Sequence, residues 1–321
     1  MTFGKKIVGF VILALSILGG SAIGVVSDSI PIDSPFTKNC WRSCILLIYF
    51  FVPMLVENFY MWHKTNYREL FKPKPYCALL LTCFCQCIWS SGLLYAASRT
   101  IQSHAYVISN LHGLFIVIIG FFSGAKILKG EITGLFTAIV GCVMIMMDPN
   151  AQKVDSRFTK SDIMIADAVN FFAAMFGAFY FLLSAKNVRD IPICTLIFVM
   201  NIHFLIICTI LASLNLIGDG PPFEFWSMNP KAGLFGFLNP ECAFVAFVPY
   251  GIFCSIFGNA GYIVCLLFFS PLVVSSSFLL EPLVAQILGS VLGIDKTPGP
   301  LTILGTLIII FGISWIDKTM R

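Results

Sequence analysis

Polar residues in this chain are confined to short segments between long apolar stretches. The run KKIVGFVILALSILGGSAIGVV gives way to SDSIPIDSPFTKN, then CILLIYFFVPMLVENFYMW begins another apolar block, and the alternation continues to the C-terminus. The blocks are roughly twenty residues long, the length a helix needs to cross a hydrocarbon core of about 30 Å. Ten such spans are predicted, over 6–26, 44–62, 76–97, 103–124, 127–147, 163–184, 191–217, 242–268, 271–293 and 299–316. The first has an apolar core of about twenty residues, beyond that of a usual signal peptide, and reads as a retained helix. The expected fold class is an all-α integral membrane protein with ten transmembrane helices.

Composition agrees with this pattern. The 321 residues are 58% hydrophobic and only 11% charged, against about a quarter charged in a soluble domain. A soluble chain this apolar would expose large sticky patches. Twelve of the twenty Lys and Arg residues fall in the termini and the even-numbered loops, and eight on the other side. By the positive-inside rule both termini are cytoplasmic. The net charge of +4 is spread thinly and forms no nucleic-acid-binding tail. Most of the twelve cysteines lie in apolar blocks, where cysteine acts as a small hydrophobe. Cys83, Cys85 and Cys87 in CFCQC do not share one helix face, and only Cys40, Cys44 and Cys242 are placed for a disulfide.

The two halves end alike. SHAYVISNLHGLFIVIIGFFSGAKILKGEITGLFTAIVGCVMIMMD and VVSSSFLLEPLVAQILGSVLGIDKTPGPLTILGTLIIIFGISWID each have a small or polar start, a kinkable centre (HG or EP), a Gly-ended helix, a turn and a Gly-rich helix closing on Asp. Aligning His112 with Pro282 brings Gly134 within one residue of Gly305. Five spans per half is an odd number, so the second half (151–321) enters the membrane from the side opposite the first (1–150). That is an inverted five-helix repeat, an arrangement of many secondary transporters, whose solute sites lie at the repeat interface near the midplane.

LLEPLVAQILGSVLGIDKTPGPLTILGTLIIIFGI resembles the end of the second EamA-type repeat of the drug/metabolite transporter superfamily. There a helix carrying E-P and small residues leads through a short turn to a helix opening with a conspicuous Gly. NLHGLFIVIIGFFSGAKILKGEITGLFTAIVGCVMIM is similar but departs from the pattern. Gly113 beside His112 replaces the usual central Pro, and Lys129-Gly130-Glu131 stands where the family often has an acid, as Ile294-Asp295-Lys296 does in the second repeat. The resemblance is sharp over 106–148 and 275–317. It implies ten helices, cytoplasmic termini and a central cavity, and does not specify a solute.

Candidate chemistry follows from depth. Glu281 lies about ten residues into its span, about 15 Å deep, and His112 matches it in the other repeat. A carboxylate there costs about 2.5–3.5 kcal/mol on insertion scales and should face the bundle interior or water, where it could exchange protons with a solute. Glu281 can equally serve only the helix ends freed by Pro282. His112 divides between a pocket residue and a satisfied interior histidine, and Asn110, two positions away, is expected on another face. Trp89 and Ser90, with Ser91 and Gly92, face Asn259 across the repeat offset, and suit either a pocket or close helix packing. Asn170 and His203 are further interior candidates, whereas Glu57 and Asp167 are expected near polar interfaces. Pro53 and Pro249 are expected to kink their spans.

No Lys or Arg is expected at mid-membrane depth, since Arg42, Arg99 and Lys126 read as span ends. Phosphorylated solutes are usually held by Arg or Lys. This disfavours nucleotide-sugar and sugar-phosphate transport and points to a small neutral, zwitterionic or cationic organic solute moved by alternating access, with proton coupling through Glu281. The alternatives are a divalent-cation carrier, which needs several convergent oxygens, and a membrane protein binding a partner through the PPFEFW loop. No intramembrane H-E-x-x-H or G-x-S-x-G signature points to an enzyme. No cofactor is implied; the expected partners are the solute and the bilayer.

Overall fold

A computed structural model of the chain describes residues 3–61, 72–124, 128–149, 158–215 and 220–319. Among the described residues ten long helical segments follow one another: α1 (Phe3–Asp28), α2 (Pro35–Met61), α3 (Pro73–Arg99), α4 (Gln102–Phe122), α5 (Lys129–Met146), α6 (Lys160–Asp190), α7 (Ile193–Ser213), α8 (Pro240–Cys265), α9 (Pro271–Val291) and α10 (Pro300–Thr319). Among the described residues nine are long and apolar enough to cross a membrane, and the apolar part of α10, Pro300–Ile316, is shorter. The protein is a multi-pass helical membrane protein. Lipid-facing side chains such as Val52, Phe122, Phe172 and Phe311 stay exposed, as expected where hydrocarbon replaces water.

The start of α2 departs from the sequence expectation. Pro35 begins the helix, where its missing N–H costs nothing, and Ser34 Oγ accepts from Thr37 N at 3.4 Å. The helix therefore opens upstream of the apolar block, and Thr37, Lys38, Asn39 and Arg42 are buried within it. Hydropathy alone misses this, because polar residues that face a protein interior look like a loop.

Three helices are irregular at mid-length. α4 breaks at Asn110 and Leu111, between Gln102–Ser109 and His112–Phe122. α9 tightens into a 3-10 turn over Phe278–Leu280 and resumes at Glu281. Pro282 sits at the start of that second segment, where a proline removes no internal hydrogen bond. α8 is a wide-turned π-helix over Ala246–Ala260, with Pro249 inside it, and Ser255 Oγ donates to the Tyr250 carbonyl at 2.8 Å.

The most extensive helix pairings are α5 with α10, α3 with α6, α1 with α8 and α2 with α7. The α5–α10 pair is the closest kind of approach. A Cβ on Gly134 or Gly141 would strike the carbonyl of Gly312 or Gly305, and a Cβ on either of those would strike back. Small residues let backbones meet in lipid, where no hydrophobic force draws helices together.

Two acids cap helices other than their own. Half-buried Glu57 accepts from the backbone N–H groups of Cys194 and Thr195 at 3.1 and 2.7 Å, capping α7 from another helix. Asp148 does the same for α10, accepting from Thr302 N and Oγ1 at 2.7 Å each. Both place negative charge at a positive helix end. Asp167 is half-buried on α6. Trp41 Nε1 ties the loop before α8 to α2 through the Gly233 carbonyl at 2.8 Å, leaving Trp226 exposed. All twelve cysteines are free thiols, including Cys40, Cys44 and Cys242, which therefore form no disulfide here.

Candidate functional site

The irregular centres of α8 and α9 meet α1, α2 and α3 around a small, partly open cavity of about 20 Å³, room for roughly one water molecule. Its walls are Ile23, Arg42, Gln86, Trp89, Ser90, Leu93, Asn259, Tyr262 and Glu281. Six of these come from residues 1–150 and three from the second half. Glu281, Trp89, Ser90 and Asn259 are therefore brought together, as the sequence suggested.

Glu281 is buried at 2% exposure and is fixed at both oxygens. Tyr262 Oη donates to Oε1, and Asn110 Nδ2 donates to Oε2 at 2.8 Å. Asn110 Nδ2 also donates to the Phe278 carbonyl at 2.6 Å, satisfying backbone opened by the 3-10 turn of α9. Asn110 stands at the break in α4 and reaches α9, whereas His112 two positions on packs against Trp89 and Phe181, so the two have different partners, in keeping with the expectation that Asn110 lies on another face from His112. Gly20 of α1 makes the space: a Cβ there would overlap Tyr262 Oη and Glu281 Oε1. Tyr106 Oη donates to the Gly20 carbonyl at 2.7 Å and pins that approach.

Arg42 lines the cavity and is 3% exposed, which corrects its reading as a span end. Its Nη2 donates to Ser90 Oγ at 2.6 Å. Ser90 Oγ donates onward to Asn39 Oδ1 at 2.9 Å, and Asn39 Nδ2 to Ser91 Oγ at 2.9 Å. Phe204 lies 5.8 Å beneath the guanidinium carbon. Arg42 Nε has no protein partner, and among the described residues no carboxylate lies within ion-pair distance of it. A buried cation without a counter-charge is expensive. The cavity thus carries a guanidinium and a carboxylate on its wall that do not touch.

Gln86 and Asn259 bridge the two halves, with Gln86 Nε2 donating to Asn259 Oδ1 at 2.9 Å. Gln86 Oε1 and Asn259 Nδ2 are buried without protein partners. One acceptor and one donor are therefore left on the cavity wall.

Trp89 stacks on Tyr180 at 5.6 Å and donates from Nε1 to Ser109 Oγ at 2.9 Å. His112 stands behind it, off the cavity wall, with ring centroids 5.4 Å apart. His112 stacks on Phe181 at 4.8 Å, and its Nδ1 meets the Ser109 carbonyl at 2.9 Å. A carbonyl only accepts, so Nδ1 carries the hydrogen. His112 orders the aromatic wall rather than lining the cavity.

Two candidates lie elsewhere. Asn170 Nδ2 donates to the Ala105 carbonyl at 2.7 Å and joins α6 to α4. His203 is half-buried, pairs with Tyr76 Oη at 2.9 Å, and sits beside the start of α3. Depth along a helix does not report which way a side chain faces. Arg42, Gln86 and Tyr262 are the polar cavity residues that sequence reading missed. Gln86 had a signal, being a lone amide inside the apolar CFCQC block. Tyr262 had none, since tyrosine is common in membrane helices.

No family model matches the chain. No curated protein matches it. One solved structure, described as "Crystal structure of protein", overlaps it with a TM-score of 0.65 at 14% identity, covering 99% of this chain and 98% of the other. At that identity the likeness shows a common fold and nothing of function.

Proposed function

We propose that the protein is a transporter of the drug/metabolite type that moves a small organic solute across a membrane by alternating access, with both termini cytoplasmic. The observation that carries this reading is the central cavity, walled by both halves of the chain and bearing a buried Arg42 and a buried Glu281. Charged groups inside a membrane bundle are costly and mark solute or ion pathways.

An inverted repeat of α1–α5 and α6–α10 is supported by the packing. Exchanging each helix for the one five places on turns the α3–α6 pair into α8–α1 and returns α2–α7 and α5–α10 to themselves. The broken centres of α4 and α9 stand at equivalent places in such a repeat. Irregular backbone at membrane depth is tolerated where it is buried in protein or lines a cavity. A small cavity walled by both halves supports a solute path between them.

Arg42 also favours a second reading set aside on sequence grounds, transport of a nucleotide sugar or sugar phosphate, because a cavity cation is present after all. Counterflow in proteoliposomes tests the proposal. Vesicles holding the protein and preloaded with amino acids, amines, nucleosides or nucleotide sugars should accumulate the matching labelled solute for one class. Accumulation equal to protein-free vesicles for every class contradicts transport.

A further inference from the structure

We infer, resting on the transporter reading, that the solute is a small zwitterion of the α-amino acid type, its carboxylate seated on Arg42 and its ammonium on Glu281. The two charges line one cavity, are both buried, and are not paired with each other. Each lacks a full set of partners. Arg42 uses Nη2 on Ser90 and leaves Nε without a protein acceptor. Each Glu281 oxygen takes one hydrogen bond, from Tyr262 or Asn110, and a carboxylate oxygen can accept two. A guanidinium fork fits a carboxylate through two parallel hydrogen bonds. The unsatisfied Asn259 Nδ2 and Gln86 Oε1 supply a further donor and acceptor on the same wall.

Charge balance decides between solute classes. With Glu281 ionised, the wall carries one positive and one negative group, and a zwitterion matches both while remaining neutral overall. A nucleotide diphosphate brings at least two negative charges to a single guanidinium and meets Glu281 besides. A simple amine satisfies Glu281 but repels Arg42. A neutral solute leaves both charges dry and uncompensated. The rest of the wall, Ile23, Leu93 and the Trp89 ring, suits an apolar side chain. The cavity as it stands has room for little more than water, so the solute enters when the halves move apart.

The test uses the full-length purified protein and ligand series that vary one charge at a time. Leucine, phenylalanine and methionine are titrated by thermal shift and calorimetry. Leucine methyl ester and 3-methylbutylamine, which lack the carboxylate, and 4-methylpentanoate, which lacks the ammonium, are titrated in parallel with UDP-glucose. At least one of the three amino acids should bind, each single-charge analogue of leucine at least tenfold more weakly than leucine or not at all, and UDP-glucose should not compete. Arg42→Gln should lose at least tenfold in affinity, with Arg42→Lys recovering part of it. Binding of the ester or amine as tight as the amino acid, competition by UDP-glucose, or unchanged affinity in Arg42→Gln overturns the inference; so does no binding by any of the three amino acids. The analogue series reads the wild-type protein, so it stands even if a variant does not fold. Counterflow separates the two levels. Movement of amines or nucleotide sugars while amino acids stay out overturns the zwitterion and leaves the transporter. Movement of no class overturns both.

Discussion

Asn110 donates to Glu281 Oε2 at 2.8 Å across the contact between α4 and α9. The two residues stand at the broken centres of helices that occupy equivalent places in the proposed repeat. The acid followed by proline is thereby explained: Pro282 begins the resumed helix, and Glu281 at its first turn is held by a side chain from the other half.

Replacing Asn110 by Ala removes a donor from Glu281 and another from the Phe278 carbonyl. Leaving buried acceptors unpaired costs about 1–3 kcal/mol. The melting temperature in detergent should fall by several degrees, more than for Ala at half-buried His203, whose partners lie away from the cavity.

Glu281 should set the pH dependence of solute binding. Raising the pH ionises it and favours an ammonium, while lowering the pH protonates it and weakens binding. Wild-type affinity should therefore fall towards acid. Glu281→Gln should be weak and flat across the same range, with little change in melting temperature, and an identical pH profile in both would leave Glu281 as a structural residue.

The trans caps make a contrasting prediction. Glu57→Ala or Asp148→Ala strips the N–H groups at the start of α7 or α10 of their acceptor, a loss of about 1–2 kcal/mol by the scale of helix caps. Melting temperature should drop while solute affinity in the folded fraction stays within about twofold, since neither residue lines the cavity.

The glycine seam between α5 and α10 should tolerate no side chain. Gly141→Leu or Gly305→Leu places atoms where the opposite carbonyl lies, so each should prevent recovery of folded protein. Gly124 faces open space, and its replacement by Asn, which accepts a positive φ more readily than most residues, should be recovered normally. Size-exclusion profiles of the three variants check this.

Hydropathy made the helices legible, because hydrocarbon demands long apolar runs whatever the fold. Glu281, Trp89, Ser90 and Asn259 were legible as well, since polar groups at mid-depth are costly enough to be conspicuous. Arg42 was not. It lies where α2 begins as a buried polar helix, and a scale that reads polarity as exposure places it in a loop. The contact of Asn110 with Glu281 was not legible either, because it depends on the break of α4 at that residue, which hydropathy does not show. His203 and Asn170 lie at interior depth, yet their side chains bond Tyr76 and the Ala105 carbonyl away from the cavity.

The most direct test of the central claim is counterflow by the wild-type protein and Arg42→Gln, side by side, at equal amounts of folded protein in the vesicles. Saturable accumulation of an apolar amino acid by the wild type, reduced at least tenfold in Arg42→Gln, is the predicted result. Accumulation no greater than in protein-free vesicles, or equal in wild type and variant, would contradict a solute path through this cavity.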